Sequence, residues 1–192
     1  MPRVGLDSAR VVEAAAAIAD AEGLDAVTLA RVAGELGVRS PSLYNHVDGR
    51  SDLLRAIAVV SVRELTAALR EATVGRSGAE ALTAAAHAYR GYARAHPGRY
   101  AAALAAPTRG DEEHRVAATE AVEVMFAVLR GWDLEGDDAV HTVRAFRSAL
   151  HGFVAIEAAD GFGMDVDVEV SFDRLLATLA DGIGEPRPAP AA

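Results

Sequence analysis

A run of polar side chains close to the N-terminus has the chemistry needed to contact nucleic acid. Between residues 39 and 46, six of the eight side chains carry a guanidinium, hydroxyl, amide or imidazole group. These six residues are Arg39, Ser40, Ser42, Tyr44, Asn45 and His46. Each can form hydrogen bonds with phosphate oxygens or with the edges of bases. Such a concentration is unusual for a plain surface segment and indicates a contact with nucleic acid.

Three short helices are predicted to position these side chains. Apolar residues recur at helical spacing over residues 8–22, and shorter helices are predicted over 29–36 and 40–46. Gly37 lies between the second and third helices, where the chain needs a positive φ that glycine adopts without strain. The apolar seam between these two helices is supplied by Val32, Leu36, Val38 and Leu43. Three short helices joined by tight turns are typical of a helix-turn-helix.

Capping residues predict where these helices begin. Asp7 or Ser8 is suited to the N-cap of the first helix, and Thr28 to the N-cap of the second. Ser40 followed by Pro41 predicts the start of the third helix, with the hydroxyl as the cap and proline as the first helical residue.

The rest of the chain also reads as helix, because Ala, Leu, Glu and Arg are abundant and β-branched alternation is scarce. Six further helices are predicted over residues 50–71, 82–96, 99–106, 111–130, 138–159 and 168–183. We therefore expect an all-α fold of about nine helices. The predicted domains are a helix-turn-helix head over 1–49, a helical bundle over 50–184 and a flexible, proline-rich tail over 185–192.

The composition limits the kinds of site that the chain can build. With no cysteine there is no disulfide, thiolate metal site or cysteine nucleophile. The six histidines include no HxxxH pair, and we expect neither a metal nor a cofactor. No apolar leader and no run of 18 apolar residues is present, so we expect a soluble, cytoplasmic protein without a membrane span.

The charge is unevenly distributed along the chain. The formal net charge is −9, which by itself argues mildly against nucleic acid as a partner. The first 50 residues carry a net −2, residues 51–100 a net +3 and residues 101–192 a net −10. The acidity therefore lies mostly in the C-terminal half and leaves a nucleic-acid role for the head open.

Residues 27–57, VTLARVAGELGVRSPSLYNHVDGRSDLLRAI, resemble the DNA-binding head of the tetracycline-repressor (TetR) family. The match runs without a gap from the threonine-capped second helix, through Leu-Gly-Val, into the start of the long helix that follows. The run at 150–153, Leu-His-Gly-Phe, and the loop after it resemble one subgroup of family C-terminal domains. The resemblance implies a sequence-specific regulator whose third helix enters the major groove.

The resemblance also implies roles for individual residues. The positions that match those facing bases or nearby backbone are Arg39, Ser40, Ser42 and Asn45. The positions that match phosphate contacts are Thr28, Tyr44 and His46, and Arg50 matches a basic DNA-binding position at the start of the long helix that follows. Two plainer interpretations stay open, since Tyr44 is also suited to be a core aromatic residue and Arg50 to be a solvated charge at a helix end.

For the helical bundle over 50–184, which we call the body, the resemblance implies a homodimer formed through the last two helices, over 138–159 and 168–183. Such a dimer would bind a double-stranded DNA operator with approximate two-fold symmetry. It also implies a pocket for a small-molecule effector. The candidate lining residues are His87, Tyr89, Tyr92, Tyr100, Met125, Phe126, Phe146 and His151. The same residues would suit an ordinary core, because both environments are mainly apolar.

The predicted function is a transcriptional repressor that a small molecule releases from a palindromic operator. One alternative is an all-helical enzyme, although the acidic residues at 111–113 and 133–138 look like helix starts and solvated loops, and we expect no catalytic residues. Another is a non-specific architectural DNA binder, which the acidic body and the lack of a basic tail disfavour. A sequence-specific footprint would separate the last alternative from the first function.

Overall fold

The computed structural model describes residues 6–183, and this part of the chain is all helical, as predicted, with no strand. The predicted tail at 185–192 lies outside the described residues. Residues 6–183 contain eight α-helices: α1 Ser8–Glu22, α2 Leu29–Leu36, α3 Arg50–Thr73, α4 Gly78–Ala95, α5 Pro97–Ala103, α6 Glu112–Leu129, α7 Gly136–Ala158 and α8 Val168–Ile183. Three short 3₁₀ helices cover Leu24–Ala26, Ser40–Asn45 and Arg130–Trp132.

The predicted caps explain where α1 and α2 begin. Asp7 is the N-cap of α1, and its side chain accepts a hydrogen bond from the Arg10 N–H at 2.8 Å. Thr28 caps α2 in the same way, with its Oγ1 accepting from the Arg31 N–H at 3.1 Å. Each cap satisfies one of the backbone donors that a helix leaves unpaired in its first turn.

The third predicted helix differs from the prediction in its type and its cap. Residues 40–45 form a 3₁₀ helix, and Arg39 occupies the N-cap position without a side-chain cap. Ser40 is therefore not the N-cap, and the prediction that it caps this helix was wrong. Pro41 restricts the backbone of the first turn, and the segment is too short to close more than a few hydrogen-bonded rings.

The described residues form two compact units. The first comprises residues 6–65 and 95–121, and the second comprises 66–94 and 122–183. The predicted domain boundary at residue 49 stays a prediction. Among the described residues, no helix is long and apolar enough to cross a bilayer.

The first unit has a core built around α1. The buried members contributed by α1, α2, the 40–45 segment and α3 include Val11, Ala15, Ile18, Val32, Leu43, Leu53 and Ile57. The first helix also lies against α5, where Gly98 allows the two backbones to approach closely. Beside it, the guanidinium of Arg99 bonds to Asp20 at 3.0 Å and to Glu64 at 2.8 Å. Helices α1, α3 and α5 are thus held together by both packing and ion pairs.

In the second unit, α4, α7 and α8 meet around aromatic side chains and one arginine. The rings of Phe153 and Phe172 lie 4.9 Å apart, and Phe172 is fully buried. The Arg90 guanidinium lies 4.7 Å from the centre of the Phe172 ring. It bonds to Glu157 on α7 at 2.5 and 2.8 Å and to Glu169 on α8 at 2.6 and 2.9 Å. These contacts satisfy a cation whose side chain is only 4% exposed.

Candidate DNA-binding site

The candidate site consists of α2, the turn after it and the 3₁₀ helix Ser40–Asn45. We call residues 40–45 the recognition segment. Gly37 ends α2 with φ 65° and ψ 29°, the left-handed conformation that the sequence predicted. The N–H of Val38 then donates to the carbonyl of Ala33 at 3.0 Å, which closes the end of the helix. This turn redirects the chain into the recognition segment.

Leu43 anchors the recognition segment in the head. Its side chain is fully buried, and the N–H groups of His46 and Val47 both donate to its carbonyl, at 2.9 and 3.0 Å. Val47 is buried as well. The apolar side of the segment is therefore fixed on the core, and the polar side chains on either side of Leu43 are displayed in a defined orientation.

The exposure of the predicted contact residues fits a binding surface. The exposed ones are Thr28, Arg39, Tyr44, Asn45 and Arg50, and the half-buried ones are Ser40, Ser42 and His46. Tyr44 is 60% exposed, which excludes the alternative of a core aromatic residue. A large aromatic side chain this far into solvent is available to a partner molecule.

The end of the recognition segment is tied to neighbouring elements. Ser8 Oγ, at the start of α1, donates to the carbonyl of His46 at 3.4 Å. Two residues further on, the N–H of Asp48 donates to the Asp52 carboxylate at 3.1 Å. Asp52 also accepts from Arg55 at 3.4 Å. Hydrogen bonds from α1 and to the start of α3 thus fix the backbone that follows the recognition segment, at His46 and Asp48.

Arg50 has contacts that sequence reasoning did not find. Its Nε donates to the carbonyl of Val27 at 2.7 Å, and its Nη2 donates to that of Leu24 at 3.0 Å. Backbone carbonyls carry no residue-type signal, so nothing in the amino-acid pattern pointed to them. The plain interpretation of Arg50 as a solvated charge at a helix end is therefore incomplete.

Arg31 has two carboxylates as its partners. Arg31 on α2 lies 2.7 Å from Glu22 and 2.9 Å from Glu35. The hydrogen bonds with these carboxylates raise the pKa of the guanidinium above its already high ordinary value. The cationic charge of Arg31 is thus largely compensated within the head.

Further ion pairs hold α6 beside α3 in the first unit. Asp111 precedes α6, accepts from the His114 N–H at 3.1 Å and lies 3.1 Å from Arg55. The His114 N–H and the nearby Arg55 charge lower the pKa of Asp111 below its ordinary value. Glu113 lies 3.0 Å from Arg63 and 3.4 Å from Arg55. This cluster of ion pairs joins α3 to the start of α6.

The predicted effector-pocket residues fall into different surroundings. Tyr100 belongs to the first unit, and the other seven belong to the second. Of those seven, the buried ones are Tyr89, Tyr92 and Phe146. Met125 and Phe126 pack against the core cluster formed by Leu129, Ala139 and Val143.

The two histidines of the predicted pocket are more accessible. His87 Nε2 lies 3.1 Å from an Asp173 oxygen, and the His87 ring meets Phe172 edge-on at 5.3 Å. His151 is half-buried. An open groove of about 550 Å³ lies elsewhere, between α1 and α3 of the first unit, with apolar walls that include Val12, Val59 and Val60. None of the eight predicted pocket residues lines this groove.

The fold and this site define a helix-turn-helix DNA-binding transcriptional regulator. Residues 11–57 match the family model described as bacterial regulatory proteins, tetR family, and residues 82–179 match the tetracyclin repressor-like C-terminal domain. The chain belongs to the TetR family, as the resemblance of residues 27–57 predicted.

One relative is similar in sequence, and two solved structures share the fold. The HTH-type regulator Rv0681 of Mycobacterium tuberculosis, which is described as uncharacterized, is 39% identical over 90% of this chain and 79% of its own length. A solved Rhodococcus protein of unknown function shares the fold with a TM-score of 0.81, at 22% identity over 96% of this chain and 100% of that one. The Streptomyces coelicolor TetR family protein ActR, solved in complex with (S)-DNPA, has a TM-score of 0.68 at 21% identity, over 93% of this chain and 96% of that one.

Proposed function

We propose that this regulator is a homodimeric repressor that binds a palindromic operator in the cytoplasm and is released by a small-molecule effector. The observation that carries the proposal is the recognition segment, whose buried Leu43 fixes exposed polar side chains in one orientation. A rigid set of hydrogen-bonding groups is what base readout requires, because a bidentate contact discriminates only when its geometry is fixed.

The proposed contacts divide into two kinds. Arg39, Ser40, Ser42 and Asn45 face bases or nearby backbone, while Thr28, Tyr44 and His46 contact phosphates. Support for Thr28 comes from its place at the start of α2, where unpaired N–H groups favour an anion. Support for Tyr44 comes from its exposure.

The proposed dimer uses α7 and α8, which correspond to the predicted interface helices over 138–159 and 168–183. On α7, exposed or half-exposed small side chains recur at helical spacing, at Ala145, Ser148, Gly152 and Ala155. Two such helices could approach each other closely, since small side chains leave room for the opposite backbone. On α8, Val170 is 46% exposed, as is Ile156 on α7. On a roughly palindromic operator, the two recognition segments of such a dimer would contact half-sites about 34–36 Å apart, one turn of DNA, or somewhat more.

The proposed effector binds in the body of the protein. The ActR complex holds a small molecule, so the fold is able to accommodate one. In this chain His87, Tyr89, Tyr92, Tyr100, Met125, Phe126, Phe146 and His151 remain the candidate lining residues. Release requires only that the effector favour the DNA-free arrangement, and a coupling of about 1–3 kcal/mol would weaken DNA binding roughly 5–150-fold.

Selection of bound fragments from sheared genomic DNA, followed by footprinting, tests the DNA part of the proposal. We expect a short palindromic footprint. Asn45→Ala should weaken binding to the selected site by about 1–3 kcal/mol while binding to unrelated DNA is unchanged. Thr119→Ala, an exposed polar residue on α6, is the matched control and should bind as the wild type does. A footprint without a preferred sequence would favour the architectural alternative and refute specific regulation.

Light scattering tests the dimer. Ala145→Arg places a charge in the small-residue row of α7, and we expect it to convert the dimer to a monomer and to abolish operator binding. Ala127→Arg introduces the same side chain at an exposed position on α6 of the same unit and should leave the dimer intact. A wild-type protein that is monomeric at micromolar concentration would refute the dimer.

The genes next to the footprint indicate which compounds to test as effectors. Compounds made, modified or exported by their products are titrated against the protein–operator complex. Operator affinity that stays equal with and without every compound that binds the protein would refute effector-controlled release.

A further inference from the structure

Arg50 joins two helix N-termini of the head. It is the first residue of α3, and its guanidinium bonds to the carbonyls of Val27 and Leu24, at 2.7 and 3.0 Å. Val27 comes directly before Thr28, the N-cap of α2. These bonds close a loop that contains α2, the turn at Gly37 and the whole recognition segment.

The atoms that make these bonds form one of the edges through which a guanidinium binds a phosphate. Nε and Nη2 form the side-on edge of the guanidinium, which arginine uses for two parallel hydrogen bonds to an oxyanion. Here both groups already donate to carbonyls. Asp25 is 3.9 Å away and fully exposed, so it contributes little to holding the side chain.

The bonded segment is itself well anchored. The side chain of Val27 is fully buried in the core of the head, whereas Thr28 next to it is exposed. A bond to the Val27 carbonyl therefore fixes the backbone at the point where the chain leaves the core and enters the exposed N-terminus of α2.

We propose that Arg50 is a positioning residue for DNA binding, which holds the N-terminus of α2 at a fixed place relative to the recognition segment and does not use its side-on edge on phosphate. Its role in DNA binding rests on the proposed function. Its role in holding the N-terminus of α2 in place, which we call the brace, concerns the free protein. A lysine at this position would keep the charge, but its single ammonium group cannot reproduce the planar two-donor edge.

Hydrogen exchange in the free protein tests the brace. The N–H of Arg31 bonds to Thr28 Oγ1, and that of Val32 bonds to the Thr28 carbonyl, so these two amides report on the start of α2. In Arg50→Ala and in Arg50→Lys we expect both amides to exchange tenfold faster or more, because the loss of a hydrogen bond to a charged group changes an equilibrium by roughly 10–150-fold. Arg39→Ala removes an exposed arginine from the same head and should leave both rates unchanged.

The salt dependence of DNA binding separates positioning from phosphate contact. The probe is the duplex recovered from the genomic selection. For Arg50→Ala we expect weaker binding with an unchanged slope of log affinity against log salt, and no rescue by lysine. Loss of a phosphate contact would instead reduce the slope by about 0.9 per contact.

The proposal is overturned if exchange at Arg31 and Val32 is unaffected by the Arg50 variants, or if the slope falls and lysine restores it. If Arg50→Ala unfolds the head, Arg50→Lys carries the same comparison in a folded protein. Should the wild type retain no DNA fragment, the proposed function fails, yet the exchange rates still decide whether Arg50 braces α2.

Discussion

The close approach of α5 to α1 makes one substitution unusually informative. A Cβ added at Gly98 would lie 2.0 Å from the carbonyl carbon of Ala19, 2.1 Å from its oxygen and 2.5 Å from the nitrogen of Asp20. Carbon atoms in ordinary contact are about 3.5–4.0 Å apart. All three neighbours are backbone atoms, so no side chain can rotate away and one helix must move by more than about 1 Å.

The expected cost of Gly98→Ala follows from this overlap. Overpacking costs typically about 1–3 kcal/mol, and the rigid backbone neighbours place this case at or above the upper end. Alanine's better helix propensity returns at most about 1 kcal/mol. We therefore expect a net loss of about 2 kcal/mol or more, which corresponds to a Tm roughly 4–8 °C below the wild type for a chain of this size.

Gly91→Ala is the matched control for this prediction. Gly91 lies within α4, is exposed, and an added Cβ would meet nothing within 4 Å. The same change should there stabilise the protein by up to about 1 kcal/mol. Thermal unfolding followed by circular dichroism gives both values. A Gly98→Ala protein that melts at or above the wild-type temperature would refute the close packing of α1 on α5.

Four further predictions concern the head and the buried ion pairs. Leu43→Ala should destabilise the head by about 2–5 kcal/mol and abolish operator binding, measured by hydrogen exchange and gel shift, because it leaves a cavity under the recognition segment. Gly34→Ala, in α2, should stabilise by about 0.5–1 kcal/mol in thermal unfolding, since an added Cβ meets nothing within 4 Å. Hydrogen bonding by Arg90 lowers the pKa of Glu157, so its stabilising effect is present above the ordinary glutamate pKa of about 4.3 and lost as the pH falls through the folded value. The Tm of the wild type should therefore fall below about pH 4 more steeply than that of Glu157→Gln, and parallel curves would contradict this. Affinity for the operator should fall less than about a thousandfold between 50 and 200 mM salt, since Arg39 is an exposed cation whereas Arg31 is paired with Glu22 and Glu35 and Arg50 donates to backbone carbonyls.

Much of the fold was predictable from local signals. The bounds of α1, α2 and α8 agree with the predicted ranges 8–22, 29–36 and 168–183. Each combines helical periodicity with a capping residue, a glycine or a loop at its ends. Where a proline and a short length compete with these signals, the prediction failed, as it did for the cap and type of the 40–45 helix.

The candidate site was predictable in part. The types and spacing of residues 39–46 indicated the candidate contact surface, because Leu43, which anchors it, and its polar neighbours lie within one short segment. The partners of Arg50, by contrast, lie 23 and 26 residues away and are backbone carbonyls. Burial of Arg90 was equally unpredictable, since arginine is mostly exposed in proteins and its two carboxylate partners belong to distant helices.

Several arginines of this chain are bonded to two groups at once. All 19 basic residues are arginine, and the sequence alone gave no reason to attach function to that fact. In the structure Arg50, Arg90 and Arg99 each bridge two separate backbone or side-chain groups. Such bridges use the planar fork that lysine lacks. A cation engaged in this way rigidifies the protein and is less available to phosphate. Operator recognition would then depend more on the geometry of the recognition segment than on the positive charge of the head.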